Sequence, residues 1–154
     1  MHIFEKNIKD LNIFIPEIIA PLANYTPSKI VDNIVYVSGQ TPIENGKFPL
    51  LGKVGIDLSE DEGIKAAELC AINIIAVLKH SINGEWDRIN SFIKIGGFVN
   101  CESSFTNHPK IINGASDLIV KIFGDQGRHT RFAVGANSLP LNIPVEIEAM
   151  IKLN

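Results

Sequence analysis

The chain has 154 residues, with 14 lysines and arginines against 17 aspartates and glutamates, a formal net charge of −3 and a pI near 5.8. This acidic balance argues against a protein that binds nucleic acid by bulk electrostatics, because such domains carry a basic excess to replace counterions. Hydrophobic residues make up 45% of the chain and charged residues 20%, which excludes a disordered protein and is enough for a core. The mean hydropathy of +0.17 is slightly high for a free monomer, so we expect part of the surface to be buried between subunits.

The first predicted element is a short helix, since apolar residues recur at helical spacing between Phe4 and Leu11. Pro16 and Pro21 end this helix and start an extended segment. The residues from Asn33 to Ser38 are mostly β-branched or aromatic and predict a strand.

The clearest helix follows a segment rich in turn residues. Glycines and a proline between Asn45 and Gly55 predict a hairpin turn followed by an irregular or edge strand. Ser59 and Glu62 then form a capping box, which marks the start of a helix. The apolar face of this helix, at helical spacing, consists of Ile64, Ala67, Ala71, Ile74, Ile75 and Leu78.

A turn, a strand and a second long helix come next. Asn83-Gly84 predicts the turn, and Ile89 to Val99 the strand, in which a Gly-Gly pair at 96–97 indicates a bulge or a close approach of another backbone. The helix is expected to begin near Pro109 and to end at Gly124. Its predicted buried stripe consists of Ala115, Leu118, Ile119 and Ile122.

Two strands complete the chain, Arg131 to Ala136 and Val145 to Lys152, with Leu139-Pro140 between them. No repeat or linker divides the sequence, so we expect a single domain. A few helices separated by strands are typical of one sheet with its helices on one face. The predicted fold class is therefore α+β.

The last strand carries a pair of carboxylates. A period of two places Glu146 and Glu148 on one face, with Cα atoms ~7 Å apart, and apolar residues on the other. Such a pair could bind a cation, orient a water or serve as an acid and base. It could equally be a solvated sheet face, which this strand taken alone favours.

Arg131 opens a strand that is otherwise apolar. Its rigid two-pronged donor matches a carboxylate, so it could clamp an anionic substrate. It could also form an ordinary ion pair, for example with one of the two glutamates, and the residues alone favour that role. His129 lies in the polar loop just before it; a histidine there could titrate near neutral pH, but such a residue is more often simply exposed.

No motif predicts a metal or a cofactor. The four histidines, His2, His80, His108 and His129, show no metal-ligand spacing. Gly52-Lys53-Val54-Gly55 is neither a P-loop nor a dinucleotide fingerprint, and Gly114-Ala115-Ser116 lacks the pattern of a nucleophile elbow. We therefore expect no metal and no cofactor.

Cysteine usage and the N-terminus predict a cytoplasmic protein. Cys70 and Cys101 cannot form a disulfide scaffold and belong to no C-x-x-C pair, so both are expected to be reduced. Charges interrupt the N-terminal segment, which therefore lacks the apolar stretch of a secretory signal. No apolar run approaches the ~18 residues of a transmembrane helix, and we expect no membrane association.

Several short motifs keep a specific order and spacing along the chain. They are Asn24-Tyr25, Val37-Ser38-Gly39-Gln40-Thr41-Pro42, Gly52-Lys53-Val54-Gly55, Ala66-Ala67, Ala71-Ile72-Asn73, Arg131 with Leu139-Pro140, and Val145-Glu146-Ile147-Glu148. Together they resemble the RidA family of reactive intermediate deaminases, also called YjgF-type proteins, and its longer branch in particular. The resemblance covers roughly Pro21 to Leu153. It implies one domain over 1–154, with 21–153 as the core and 1–15 as an N-terminal extension.

The resemblance implies a chorismate-mutase-like α+β fold, with one mixed sheet, two main helices on one face and a short N-terminal helix. It also implies a homotrimer whose three sites lie in the clefts between subunits. The implied activity is the hydrolysis of reactive enamines and imines, such as 2-aminoacrylate, to 2-keto acids and ammonia. That chemistry needs no metal or coenzyme, and the implied partners are small 2-imino and 2-keto acids rather than nucleic acid.

The same resemblance assigns roles to five positions. Arg131 matches the arginine that clamps the substrate carboxylate, and Glu146 matches the glutamate that positions or activates the attacking water. Tyr25 matches a tyrosine at the rim of the cleft. Ser38 matches a serine in the Ser-Gly-Gln segment, and Asn113 a polar residue near the site.

The sequence also departs from the family pattern. Ala133 stands where the family often has a site cysteine, and a short insertion around Asn107 to Ile111 lengthens the approach to the second long helix. We expect Phe105, His108 and Arg128 to be able to reshape the pocket. Substrate choice could therefore differ from that of the shorter enzymes.

Three alternatives to a deaminase stay open. The first is a non-enzymatic trimer that binds a small carboxylate metabolite. The second is an endoribonuclease, a label the family often bears; the acidic pI and the lack of a basic, aromatic-rich stripe argue against it. Chorismate mutase is the weakest, because a shared fold is not a shared function.

Overall fold

The computed structural model describes residues 1–18 and 23–154, and contains a mixed five-stranded sheet with three helices. In chain order the elements are α1 (Ile3–Asp10), β1 (Ser28–Val31), β2 (Ile34–Gln40), α2 (Glu60–Ser81), β3 (Ile89–Asn100), α3 (His108–Phe123), β4 (Thr130–Ala136) and β5 (Val145–Leu153). The strands lie in the order β1-β2-β5-β3-β4, with β3 and β4 parallel and every other neighbouring pair antiparallel. The predicted α+β fold is confirmed. Pro21, expected to take part in an extended segment, lies outside the described residues.

The sheet has two unlike faces, as the period of two in β5 predicts. On the face that packs against α2 and α3, here called the helix face, Val145, Ile147, Ala149 and Ile151 are buried. The opposite face, here called the open face, carries Tyr36, Phe98 and Val134, each about two-fifths exposed. The hydrophobic core therefore lies between the helix face and the two long helices.

The predicted capping box begins α2. The Ser59 hydroxyl accepts a hydrogen bond from the Glu62 amide at 3.2 Å, and the Glu62 carboxylate accepts one from the Ser59 amide at 2.8 Å. The predicted apolar stripe is buried except for Ile64, which is only partly covered.

No helix of the described residues, including the 22-residue α2, is long and apolar enough to cross a membrane.

The boundaries of α3 and the packing of α1 also follow the prediction. Helix α3 begins one residue before Pro109 and ends at Gly124, whose φ is +59°. Leu118, predicted to be buried, is only partly covered. Helix α1 packs on the C-terminal end of α3, with the Phe4 and Phe123 rings 4.8 Å apart; Leu11, which was predicted to share the apolar face, stays exposed.

Two features of the sheet differ from the sequence prediction. Strand β1 was not predicted; it forms an edge hairpin with β2 around Asp32 and Asn33, which both have positive φ. The strand expected before Gly55 is absent: a turn forms at Asn45, but only isolated bridges follow at Val54. Short segments show little hydrophobic periodicity. Whether each of these two segments forms a strand therefore depends on the neighbouring strand available to pair with it, and not on its local sequence.

The glycine pair at 96–97 makes room for side chains rather than for a bulge or another backbone. A Cβ on Gly96 would lie 2.5 Å from the Phe132 ring, and one on Gly97 would lie 2.6 Å from Ile112 of α3. The register shifts of β3 against β5 fall earlier, between Ile89 and Ser91 and between Phe92 and Lys94. The pair thus lets β3 pack closely on both faces.

Replacing Gly114 by alanine tests how closely α2 and α3 cross. An added Cβ would overlap the carbonyl oxygen of Ile64, whereas alanine at an open helical position normally stabilises by ~1 kcal/mol relative to glycine. We expect Gly114→Ala to lower the free energy of unfolding by about 1–3 kcal/mol, measured by urea unfolding at fixed protein concentration. Asp117→Ala, an exposed change on the same helix, should stay within about 0.5 kcal/mol of the wild type. Unchanged or increased stability of Gly114→Ala would contradict the close crossing.

Candidate functional site

Arg131 lies on the helix face of β4, the edge strand next to α3. It pairs in register with the buried Ile95, and its guanidinium reaches over the N-terminal half of α3. Nη1 donates to the Ser116 hydroxyl at 3.1 Å, and Nη2 donates to the Pro109 carbonyl oxygen at 3.3 Å. Pro109 lies in the segment from Asn107 to Ile111 that the resemblance suggested as an insertion, so this segment contacts the predicted clamp directly.

Among residues 1–18 and 23–154, Arg131 forms no ion pair. The two glutamates suggested as its partners, Glu146 and Glu148, lie on the opposite face of the sheet. Two of the five N–H donors of the guanidinium are used, so three remain for a ligand. Arg131 is partly buried, and a guanidinium in such a position without a carboxylate partner is chemically suited to an anion.

His129 is not simply exposed, as the sequence suggested, but is partly buried and hydrogen-bonded through both ring nitrogens. Its Nε2 lies 2.9 Å from the Ser116 hydroxyl, and its Nδ1 lies 2.6 Å from the Gly127 carbonyl oxygen. Ser116, His129 and Arg131 therefore form one network, here called the arginine cluster.

Glu146 lies on the open face, where its carboxylate covers Gly39 of β2. A Cβ at Gly39 would overlap Oε1 of Glu146, so only glycine leaves space for this carboxylate. The Glu146 side chain has no hydrogen bond or ion pair within the part of the chain that the structure describes. Partial burial raises the pKa of Glu146 above its usual range, because water can no longer fully solvate the charged form.

Ser38 lies on β2 beside Gly39, the residue that the Glu146 carboxylate covers. The Ser38 hydroxyl donates to the Thr26 carbonyl oxygen at 2.7 Å, which ties the loop that carries Tyr25 to the strand residue next to Gly39. Tyr25 itself is 56% exposed. Ser38, Gly39 and Glu146 form a second group, here called the glutamate cluster; a place for Tyr25 at the rim of a cleft stays a prediction.

The two clusters are separated within one chain. Arg131 is in register with Ile95, which pairs with Ala149, and Ala149 lies three residues along β5 from Glu146. Two strand spacings and three residues put the Cα atoms of Arg131 and Glu146 ~14 Å apart, with the side chains on opposite faces. One small acid cannot contact both within a single chain.

Asn113 belongs to neither cluster. It is exposed on α3 and lines a shallow groove of about 240 Å³ between α2 and α3, together with Glu68 and Lys110. Its role in ligand binding stays a prediction.

The described residues show no group of three or more His, Cys, Asp or Glu side chains that could hold a metal ion. Cys101 and His108 form a pair, with Sγ 3.4 Å from Nε2. Burial raises the pKa of Cys101 and, more strongly, that of Cys70, so both thiols are protonated at neutral pH.

Sequence reasoning missed Gly39, Ser116 and His129 as parts of these clusters. Gly39 lies inside the Ser-Gly-Gln motif, so its position was marked although its role was not. Ser116 and His129 are 13 residues apart on different elements, and no local pattern links them.

Replacing Glu146 by glutamine tests its burial. Because the pKa of Glu146 is higher in the folded chain than in the unfolded chain, its ionisation removes stability as the pH rises through that interval. Glu146→Gln should therefore be more stable than the wild type at pH 7, by less than about 1 kcal/mol since the group is partly solvated. The difference should shrink below pH ~4, where the wild-type carboxyl is neutral in both states. Thermal unfolding across this range measures it, with Glu148→Gln controlling for loss of one charge on the same face; a difference that grows toward low pH would contradict the burial.

The comparisons with known proteins agree with this architecture. The profile of the family described as "YjgF/chorismate_mutase-like, putative endoribonuclease" matches residues 6–151. The chain is 37% identical to Protein TCP17 of Trypanosoma cruzi over 149 residues, which are 96% of this chain and 92% of that protein.

Two crystal structures superpose over nearly the whole chain. A protein of unknown function from Agrobacterium tumefaciens has a TM-score of 0.92 and 43% identity, covering 99% of this chain and 93% of its own. "A putative endoribonuclease" from Shewanella oneidensis MR-1 has a TM-score of 0.94 and 36% identity, covering 99% and 100%. From its sequence, its mixed sheet and these matches, the chain belongs to the YjgF/chorismate-mutase-like family.

Proposed function

We propose that the protein is a deaminase that hydrolyses reactive 2-imino acids, such as the imine form of 2-aminoacrylate, to 2-keto acids and ammonia. The observation that carries this proposal is the Arg131 guanidinium, which is partly buried, has no carboxylate partner among the described residues and keeps three N–H donors free. A 2-imino acid presents a carboxylate next to the electrophilic carbon, so binding the carboxylate also places the reacting atom.

Glu146 is suited to act as the base that activates the water attacking the imine. Water adds to C2 of the protonated imine and gives a proton to the Glu146 carboxylate, which forms a tetrahedral carbinolamine. That proton passes to the nitrogen; the hydroxyl then gives its proton to Glu146 as the C2=O bond forms, the C2–N bond breaks and ammonia leaves. Glu146 returns the last proton to the ammonia or to solvent, so that the protonated imine and water become the 2-keto acid and ammonium. A carboxylate whose pKa is raised by burial is a stronger base than a solvated one, so it takes the proton from water more readily. Gly39 supports this role, because its missing Cβ leaves room for the Glu146 carboxylate beside β2.

We further propose that the working site lies between two chains of a homotrimer. The arginine cluster and the glutamate cluster lie on opposite faces of one sheet, so a small acid can contact both only if they come from different subunits. The open face supports an assembly, since its apolar side chains Tyr36, Phe98 and Val134 are exposed in the single chain.

The second candidate is an endoribonuclease, favoured by the family description and by the Shewanella relative. The acidic pI and the use of both His129 ring nitrogens in internal hydrogen bonds argue against it. Incubating the protein with a single-stranded RNA tests this candidate, and we expect no cleavage.

Deamination of freshly generated 2-iminobutyrate tests the proposed reaction. A pyridoxal-phosphate dehydratase supplies the imine, and the rate of 2-ketobutyrate formation above the spontaneous rate measures activity. Arg131→Ala should lower kcat/KM about 100-fold, because a charged hydrogen-bonded partner of the carboxylate is lost. Arg131→Lys keeps the charge without the two-pronged geometry, so its kcat/KM should lie between those of the wild type and Arg131→Ala. No acceleration by the folded wild type would reject the deaminase; binding of 2-ketobutyrate without turnover would instead support a carboxylate-binding protein.

Mixing two inactive variants tests the position of the site. Arg131→Ala and Glu146→Gln proteins, unfolded together at equal amounts and refolded, should form mixed trimers. In these, ~1 in 4 inter-subunit sites combines an intact Arg131 from one chain with an intact Glu146 from another, so activity should return to about a quarter of wild type. Each variant refolded alone is the control. No recovery in mixed trimers would place both residues in the site of one chain and contradict the inter-subunit proposal.

A further inference from the structure

The hydrogen bonds of the arginine cluster have a fixed direction. The Gly127 carbonyl oxygen can only accept, so Nδ1 of His129 carries a proton and donates to it. In the neutral ring Nε2 is then an acceptor, and the Ser116 hydroxyl donates to it. The lone pairs of Ser116 are thereby turned toward Arg131, whose Nη1 donates to them.

Both ends of this network are attached to α3. Ser116 is part of the helix, and the buried Gly127 packs against the backbone of Ile119 so closely that a Cβ would lie 2.7 Å from its carbonyl oxygen. The second bond of the guanidinium, to Pro109, reaches the first turn of the same helix. The orientation of Arg131 is therefore set by α3 rather than by its own edge strand.

This arrangement matters because arginine is flexible. A free arginine side chain loses rotamer entropy when it becomes ordered, and a ligand that had to order it would bind more weakly for that reason. In this protein two polar contacts already hold the guanidinium, while neither is an acid that would compete with a ligand carboxylate.

We propose that Ser116 and His129 are positioning residues that hold the Arg131 guanidinium in the orientation required to bind a ligand carboxylate. The proposal rests on the proposed function for its substrate class, but not for the network itself. Neither residue touches the reacting atoms; each acts through Arg131. The ligand class is a small 2-imino or 2-keto acid.

Steady-state kinetics of Ser116→Ala test the proposal. The carboxylate contact is made in both the ground state and the transition state, so its loss should raise KM and leave kcat nearly unchanged. We expect KM for 2-iminobutyrate, and Kd for 2-ketobutyrate by calorimetry, to rise about tenfold with kcat within about twofold. Ser116→Thr keeps the hydroxyl and should restore most of the affinity. His129→Leu should behave like Ser116→Ala, whereas His129→Gln retains one donor and one acceptor and should be milder.

Lys121→Ala is the matched control, since Lys121 is exposed on the same helix and contacts neither Arg131 nor His129. Unchanged KM and Kd in Ser116→Ala would overturn the positioning role, as would an equal loss in the control. A fall in kcat without a change in KM would also overturn it, because it would assign Ser116 to the chemical step.

A nitrogen-15 NMR spectrum of the folded protein separates this proposal from the proposed function. A guanidinium held by two partners should give distinct Nη1 and Nη2 signals for Arg131, and these should merge in Ser116→Ala. His129 should show the tautomer with its proton on Nδ1. If the wild type deaminates no imine but shows these signals, the network stands and the deaminase proposal fails. Merged Arg131 signals in the wild type would overturn the network whatever the activity.

Discussion

The strict alternation of β5 is the constraint on which the rest of the structure depends. This strand pairs with β2 on one side and β3 on the other, so its pleat defines both faces of the sheet. Its apolar residues seat the sheet on α2 and α3, and the same period of two turns Glu146 to the open face. A shift of one residue would exchange the core and the carboxylates, which is why the core and the candidate site cannot change independently.

The same alternation places Arg131 on the helix face, opposite to the face that carries Glu146. Its register with Ile95 puts it on the helix face, at the edge strand where the core ends, and there α3 offers it a hydroxyl and a carbonyl oxygen but no carboxylate. Arg131 carries a positive charge without an ion-pair partner in the described chain, and Glu146 on the other face is a poorly solvated carboxyl. These two groups are the two parts of the proposed site. Their separation within one sheet is the physical basis for proposing a site shared by two subunits.

The N-terminal and inserted segments stabilise this arrangement in different ways. Helix α1 extends the core through Phe4, whose ring packs on that of Phe123, so it stabilises the fold. The segment from Asn107 to Ile111 supplies Pro109, whose carbonyl oxygen accepts a hydrogen bond from Arg131 and so helps to order this side chain. Lys53, in the glycine-rich motif that the sequence analysis left without a role, donates to the Asn100 side chain and the Cys101 carbonyl oxygen and fixes the end of β3.

The sequence by itself determined the elements whose signals are local: the capping box at Ser59, the glycine end of α3, and the two faces of β5. It also marked Arg131 and the pair Glu146 and Glu148 as charged residues on otherwise apolar strands, and the resemblance to the family singled out Arg131 and Glu146 among them. Only the tertiary structure decided that these residues lie on opposite faces, that Arg131 has no ion-pair partner in the described chain, and that Ser116 and His129 hold it. The reason is that strand order, register and contacts between distant segments depend on which surfaces pack together, and no local pattern of residues records that pairing.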